Sequence, residues 1–226
     1  MRIPLPRISP RDALTAHPRR TLAAPSPHPR NAGLDSLCKA VRVTAPVTTR
    51  YLIVLRHAKA AWPDVEDRQR PLAERGRRDA PAAGRWLREA GRRLDAFAID
   101  RVVCSPARRT RETWELVAKE LDGPPTPVYD GRIYAATTST LLTVVRETPA
   151  RVRGLLLVGH NPGMQHLAVT LADTESGEPL ARAREKYPTS GLSVFSVPGD
   201  WSDLAPGGAL LTEFAIPRGD GANEGD

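Results

Sequence analysis

A three-layer α/β/α sandwich with a mostly parallel central sheet is the fold this 226-residue chain predicts, and two observations carry that expectation. Short apolar runs recur at residues 51–55, 98–104 and 154–158, with the Val, Ile and Leu content of strands buried on both faces. Stretches with apolar residues at helical spacing lie between them, and strands that alternate with helices build a parallel sheet covered on its faces.

The elements follow in order. After the first run, Ala80, Ala83, Leu87 and Ala90 recur at helical spacing up to Gly91, which suits a C-terminal cap. Pro81 is tolerated in a first turn but not in a helix interior, so Asp79 is expected to cap the helix or to mark a kink. Residues 107–121 form a second expected helix, with Thr110, Thr113, Trp114, Val117 and Leu121 on one side. Residues 138–147 form a third around Leu141, Leu142 and Val145, and residues 163–172 a fourth. Two late runs, 192–197 and 210–216, read as strands joined by a Gly/Pro/Asp-rich loop over 198–209.

Charge divides the chain. The formal net charge is +7, and the first 50 residues carry all of it, with nine Lys/Arg against Asp12 and Asp35. The remaining 24 basic and 24 acidic side chains balance, so the expected folded body is not a basic nucleic-acid binder. Eight of the 22 prolines also fall in those 50 residues, and no apolar stripe accompanies them. Residues 1–49 are therefore expected to be a disordered basic Pro/Arg-rich tail, capable at most of weak polyanion contact. A folded domain is expected over 50–217 and a flexible C-terminal tail over 218–226. No stretch reaches the length of a membrane span, and no secretory signal is visible. Cys38 and Cys104, the two cysteines, suggest neither a disulfide framework nor a zinc site, and a cytoplasmic setting fits. The sequence does not fix the oligomeric state.

In open α/β sheets, ligands gather beyond the carboxyl ends of the strands. The first expected strand ends in Arg56-His57-Ala58-Lys59, the second in Ser105-Pro106-Ala107-Arg108-Arg109, the third in Gly159-His160-Asn161-Pro162-Gly163. Two histidines and several arginines thus meet at one rim. His17 and His28 lie in the tail, and His166 falls on the helix after His160.

These segments resemble the histidine phosphatase (phosphoglycerate mutase-like) superfamily. Arg56-His57-Ala58 is similar to its nucleophile signature, with alanine in place of the usual glycine. Ser105, Arg109 and Thr113 match its serine–x–x–x–arginine–x–x–x–threonine segment, and Val158-Gly-His160-Asn-Pro-Gly163 its second-histidine motif. Arg70-Pro71-Leu72 with Gly76 is similar to the short phosphohistidine-phosphatase subgroup, the SixA-like members. The resemblance covers about residues 50–217. It implies His57 as nucleophile, His160 as second histidine, and a phosphate cradle of Arg56, Arg70, Arg109 and His160. Asp67 is the proton-donor candidate by similarity to that subgroup, with Asp64 and Glu66 as competitors.

The residue types suit that chemistry. Phosphoryl transfer spreads negative charge over three equatorial oxygens, which planar arginine forks bind bidentately. Those cations disfavour an imidazolium at His57, leaving a neutral nucleophile. Arginine and histidine supply the positive charge a metal would bring, so no metal or other cofactor is expected. The compact body leaves an open site, suited to a phosphorylated protein or a small phosphorylated substrate. Phosphohistidine is favoured because it can depart as neutral imidazole, with less need for an acid than an alkoxide has. The alternatives are a phosphatase or mutase acting on small phosphate esters, and a noncatalytic phospho-ligand binding module.

Overall fold

The computed structural model describes residues 49–93 and 98–220. The expected basic tail, residues 1–49, lies outside them apart from Thr49, as do residues 221–226.

The strand β1 (Arg50–Arg56) shows why the chain layers as it does. Side chains alternate between the two faces of a strand. Leu52 and Val54 enter one apolar cluster, while Ile53 and Leu55 enter another on the opposite face. Beside it, β4 (Gly154–Gly159) is buried at every position and divides Leu155 and Leu157 from Leu156 and Val158 in the same way. The first cluster is closed by α3 (Thr138–Arg146), α4 (Gly163–Leu171) and α5 (Gly177–Glu185), through Leu141, Leu167 and Leu180 among others. The second is closed by α1 (Glu74–Arg93) and α2 (Arg108–Ala118), through Ala83, Leu87, Trp114 and Val117. Two apolar faces on one sheet make three layers.

The sheet has six strands in the order β3-β2-β4-β1-β5-β6, with β2 spanning Arg101–Cys104, β3 Val128–Tyr129, β5 Leu192–Val197 and β6 Leu210–Ala215. Strands β3, β2, β4 and β1 are parallel, whereas β5 pairs antiparallel with both β1 and β6. The expected mostly parallel α/β/α sandwich is the fold. No helix among the described residues is long and apolar enough to cross a membrane.

Several local expectations need correction. Helix α1 starts well before Asp79 and runs through Pro81 and Gly91, so Asp79 is not its cap and Gly91 does not end it. Pro81 withdraws one N–H from the helical ladder without breaking the helix. Asp79 is instead buried, accepting from the Gly219 backbone N–H at 3.1 Å and pairing with Arg218. Arg218 and Gly219, expected in a flexible tail, are thereby fixed to the domain. Helix α5 and the two-residue β3 were not expected at all, and β2 starts three residues later than the apolar run that predicted it.

Gly84 lets α1 and α2 approach closely: a Cβ there would lie 2.6 Å from the Val117 carbonyl oxygen. Gly76 does the same at the start of α1, where a Cβ would meet the Lys59 carbonyl oxygen at 2.1 Å. That contact seats the helix on the loop that leaves β1.

Candidate active site

Parallel registry brings the strand ends together. Arg56 pairs with Gly159 and Cys104 with Val158. One residue further, the His57 N–H donates to the Gly159 carbonyl at 3.0 Å and the Ser105 N–H to the Val158 carbonyl at 3.0 Å. His57, Ser105 and His160 consequently stand side by side at one edge. The rings of His57 and His160 have centroids 5.2 Å apart, and His160 Nε2 lies 2.8 Å from the Ser105 hydroxyl.

His57 has a defined tautomer. Its Nδ1 is 2.7 Å from the Ala58 carbonyl oxygen, which can only accept, so Nδ1 carries the proton and Nε2 keeps its lone pair. Burial first, then the His160 ring, Arg109 and Arg56, holds the imidazole well below its ordinary value of 6.5. The shift has the direction that the expected neutral ring requires, but water exclusion leads and the cations come second.

A cleft at this edge is lined by Arg56, His57, Arg70, Arg109 and His160, with Lys59, Trp62, Asn161 and Thr189 around them. Arg109, in the first turn of α2, is fixed from below: Thr113 Oγ1 donates to its carbonyl and accepts from the Ala58 N–H. Arg56 Nη1 donates to the Tyr187 carbonyl at 2.7 Å, and the Asn161 side-chain amide reaches the same carbonyl at 2.9 Å. Arg70 donates through Nε to the Ala61 carbonyl at 3.0 Å. All four arginine and histidine sites predicted for phosphate, Arg56, Arg70, Arg109 and His160, are therefore brought to one cleft.

Asp67 has a different setting from the one expected of an acid. It is half exposed, and its carboxylate accepts from Tyr134 Oη, from Arg70 Nη1 at 3.0 Å and from Arg109 Nη2 at 2.9 Å. The Tyr134 hydrogen bond, then those of Arg70 and Arg109, holds it well below the usual carboxylate range. These three donors favour the anion, and two of them are the guanidinium groups of Arg70 and Arg109. Asp64 and Glu66 are exposed and line no part of the cleft. Replacing Asp67 with Asn should lower kcat/KM by a similar factor, about 10-fold, for alkyl, aryl and phosphoramidate substrates, because one charged hydrogen-bond partner of the cradle is lost. A loss that grew steeply with leaving-group basicity would make Asp67 the acid after all.

The replacement of glycine by Ala58 is sterically benign. Its methyl is buried in a small cluster with Leu72 and Ala80. Sequence reasoning missed Tyr134, which approaches from a 3-10 turn after β3 and stands edge-on to His160 at 5.3 Å. It also gave no role to Ser105, Asn161 or Trp62. The aromatic in the Ile133-Tyr134 pair, next to a strand end, was the available signal for Tyr134.

Comparison with known proteins fits this geometry. Residues 52–132 match the family described as the histidine phosphatase superfamily (branch 1). A structure from Nakamurella multipartitia assigned as the phosphohistidine phosphatase SixA superposes with a TM-score of 0.66 at 31% identity, covering 76% of this chain and 99% of that one. The chain belongs to the histidine phosphatase superfamily. A second SixA assignment, from Agrobacterium tumefaciens, superposes with a TM-score of 0.60 at 30% identity, covering 74% and 98%. An uncharacterized protein of Mycobacterium tuberculosis is 41% identical over 167 residues, 73% of this chain and the whole of that relative.

In this histidine phosphatase superfamily member, burial pushes both cleft histidines below their ordinary value. Burial, then Arg109 and Arg56, pushes His160 down to about 3 despite the opposing charge of Asp67. In an NMR titration the rings of His57 and His160 should keep neutral-form shifts from pH 8 to pH 5. An inflection near 6.5 for either ring would contradict the burial argument. Both folded values lie below 6.5, so the unfolded chain binds more protons beneath that pH. Stability contributed by these rings is present above pH 6.5 and is lost as the pH falls below it, for His160 down to about pH 3.

Proposed function

We propose that this chain is a metal-independent phosphatase that works through a phosphohistidine at His57. The observation that carries the proposal is the bare Nε2 of a neutral, buried His57, set among three arginines and His160. Arg56, Arg109 and Arg70 would grip the equatorial oxygens of the phosphoryl group, the last two while staying anchored on the Asp67 carboxylate. His57 Nε2 attacks in line, so the P–N bond forms as the bond to the leaving group breaks. The proton stays on Nδ1, hydrogen-bonded to the Ala58 carbonyl, which stabilises the positive ring that results. Water then attacks phosphorus, releasing inorganic phosphate and restoring His57. His160 Nδ1 is buried with no hydrogen-bond partner among the described residues. With the Ser105 hydroxyl donating to Nε2, Nδ1 carries the ring's proton and would offer it to an equatorial oxygen.

Phosphohistidine on a protein is the favoured substrate. The carboxylate nearest the cradle is held ionised, which penalises leaving groups that must be protonated by the enzyme. An imidazole leaving group protonated on its remote nitrogen departs neutral without such help. The likeness to two SixA assignments supports the same substrate class.

Two measurements test this reading together. Extensive chelation should leave aryl phosphate turnover intact, because the cationic side chains supply the charge. Inorganic phosphate, vanadate or tungstate should inhibit competitively by filling the arginine cradle. Activity abolished by chelation and restored by a divalent ion would overturn the mechanism, and oxyanion binding without any turnover would leave only a binding module.

A further inference from the structure

The turn over residues 187–191 holds the nucleophile from behind. Its Tyr187 carbonyl accepts from Arg56 Nη1, and its Gly191 carbonyl accepts from the Arg56 N–H at 3.0 Å. Its Ser190 N–H donates to the His57 carbonyl at 3.2 Å, and Thr189 lines the cleft. One cradle arginine and the attacking histidine are thus tied to the same short turn. That turn is not relaxed. Ser190 is buried at a φ of 59°, and its hydroxyl has no hydrogen-bond partner among the described residues. In the left-handed region a side chain crowds its own backbone, so a residue other than glycine stays there only when its surroundings hold it.

Part of that hold comes from the end of the domain. Arg218 Nη1 donates to the Thr189 carbonyl at 2.9 Å, next to the Ser190 N–H that binds His57, and lies 3.4 Å from the buried Asp79 carboxylate of α1. The Gly219 N–H donates to the other oxygen of that carboxylate at 3.1 Å. A Cβ at Gly219 would stand 2.5 Å from the Arg78 carbonyl oxygen, so this segment lies close against α1. Helix α1 anchors Arg218, Arg218 anchors the turn, and the turn anchors His57. We propose that Arg218 is a positioning residue for nucleophilic attack, bracing the 187–191 turn against Asp79 so that His57 Nε2 keeps its place relative to the arginine cradle. This rests on the phosphatase reading and adds to it a residue that touches neither substrate nor reacting atoms. Arg70 and Arg109 hang on Ala61 and Asp67, not on this turn, so loosening it should disturb the attack more than the binding of an oxyanion.

The test measures single-turnover phosphoenzyme formation from phenyl phosphate, tungstate inhibition and thermal stability in the full chain. Wild type is compared with Arg218→Ala, Arg218→Lys and the double variant Asp79→Asn/Arg218→Ala. Asp79 keeps Arg75 at 3.9 Å in the single variants. Arg218→Ala should slow phosphoenzyme formation roughly 10- to 100-fold while tungstate inhibition changes by less than about threefold, the asymmetry of a small misplacement at the reacting atom. Arg218→Lys still offers one donor to the Thr189 carbonyl and should recover part of the rate. The double variant removes the buried charge that Arg218→Ala leaves short of a partner, so it should regain stability without regaining rate. A rate that returned together with stability would make Arg218 merely structural and overturn the proposal. An unchanged rate in Arg218→Ala, or an equal loss of tungstate affinity, would overturn it as well. Amide hydrogen exchange reads the brace in a chain that turns nothing over. Exchange at the Ser190 and Arg56 N–H groups should accelerate in Arg218→Ala relative to Leu155 in the middle of β4. Unchanged exchange at both overturns the brace with the catalytic reading untouched. Accelerated exchange in a chain that hydrolyses no phosphate supports the brace while the phosphatase reading falls.

Discussion

His57→Ala should reduce phosphatase turnover to background while leaving oxyanion binding largely intact. The nucleophilic nitrogen is removed, but Arg56, Arg70 and Arg109 keep their anchors on Tyr187, Ala61 and Asp67. Tungstate should therefore still bind the variant, which separates a lost reaction from a lost fold. The full rate advantage of covalent catalysis is at stake, because the substitution removes the nitrogen assigned to attack phosphorus. His160→Ala should cost about 10²–10³-fold, the scale of one preorganised contact to the transition state. His166→Ala is the control: it lies in a separate surface groove with Gln165 and Arg184, and its loss should be nearly neutral. Turnover persisting in His57→Ala within tenfold of wild type would refute the nucleophile.

Arg109→Ala should be the most damaging change in the cradle, at about 10²–10³-fold in kcat/KM, with tungstate inhibition weakened in parallel. Arg109 is buried, and two of its nitrogens point at Asp67, one to the carbonyl at 2.6 Å and one to the carboxylate at 2.9 Å. Its removal takes away a fork that equatorial phosphoryl oxygens would fill, and it also loosens Asp67 and through it Arg70. Two residues of the cradle are affected by one substitution, so effects of Arg109→Ala and Asp67→Asn should not add in the double variant. Arg109→Lys should recover only part of the loss, since an ammonium is a point charge without the bidentate plane. A variant within threefold of wild type in both kcat/KM and tungstate affinity would remove Arg109 from the site.

Much of this site could be read from the sequence because strand ends code for position. The runs at 51–55 and 154–158 are short, apolar and bounded, so the residues after them had to emerge at the sheet edge, as His57 and His160 do. Arg109 was singled out by the resemblance of the Ser105–Thr113 segment to the family's serine–x–x–x–arginine–x–x–x–threonine pattern. What was not legible depends on chain segments meeting from far apart. The charge state of Asp67 is decided by Tyr134, 67 residues away, and by Arg109, 42 away. Its own neighbourhood of Asp64, Glu66 and Arg68 looks like any solvated loop. Helix α5 escaped notice because Gly177-Glu-Pro179 followed by alternating arginines reads as exposed loop, while only Leu180 and Ala183 reach the core. Pro81 argued for a helix start at 79, yet the close seating of Gly76 on Lys59 begins the helix earlier, and tertiary packing outweighs the missing hydrogen bond. Asp79 was read as a local cap because its actual partners, Arg218 and Gly219, are 139 and 140 residues away.

The most direct measurement is the chemical identity of the intermediate. Phenyl phosphate labelled with radioactive phosphorus would be mixed with the full chain, quenched in base within milliseconds, and the labelled protein mapped by mass spectrometry. One phosphate should appear, stable in base, labile in acid, attached to Nε2 of His57 and absent from His57→Ala. An acid-stable ester on a serine or threonine, a label on His160, or turnover with no labelled protein at any time would contradict nucleophilic attack by His57.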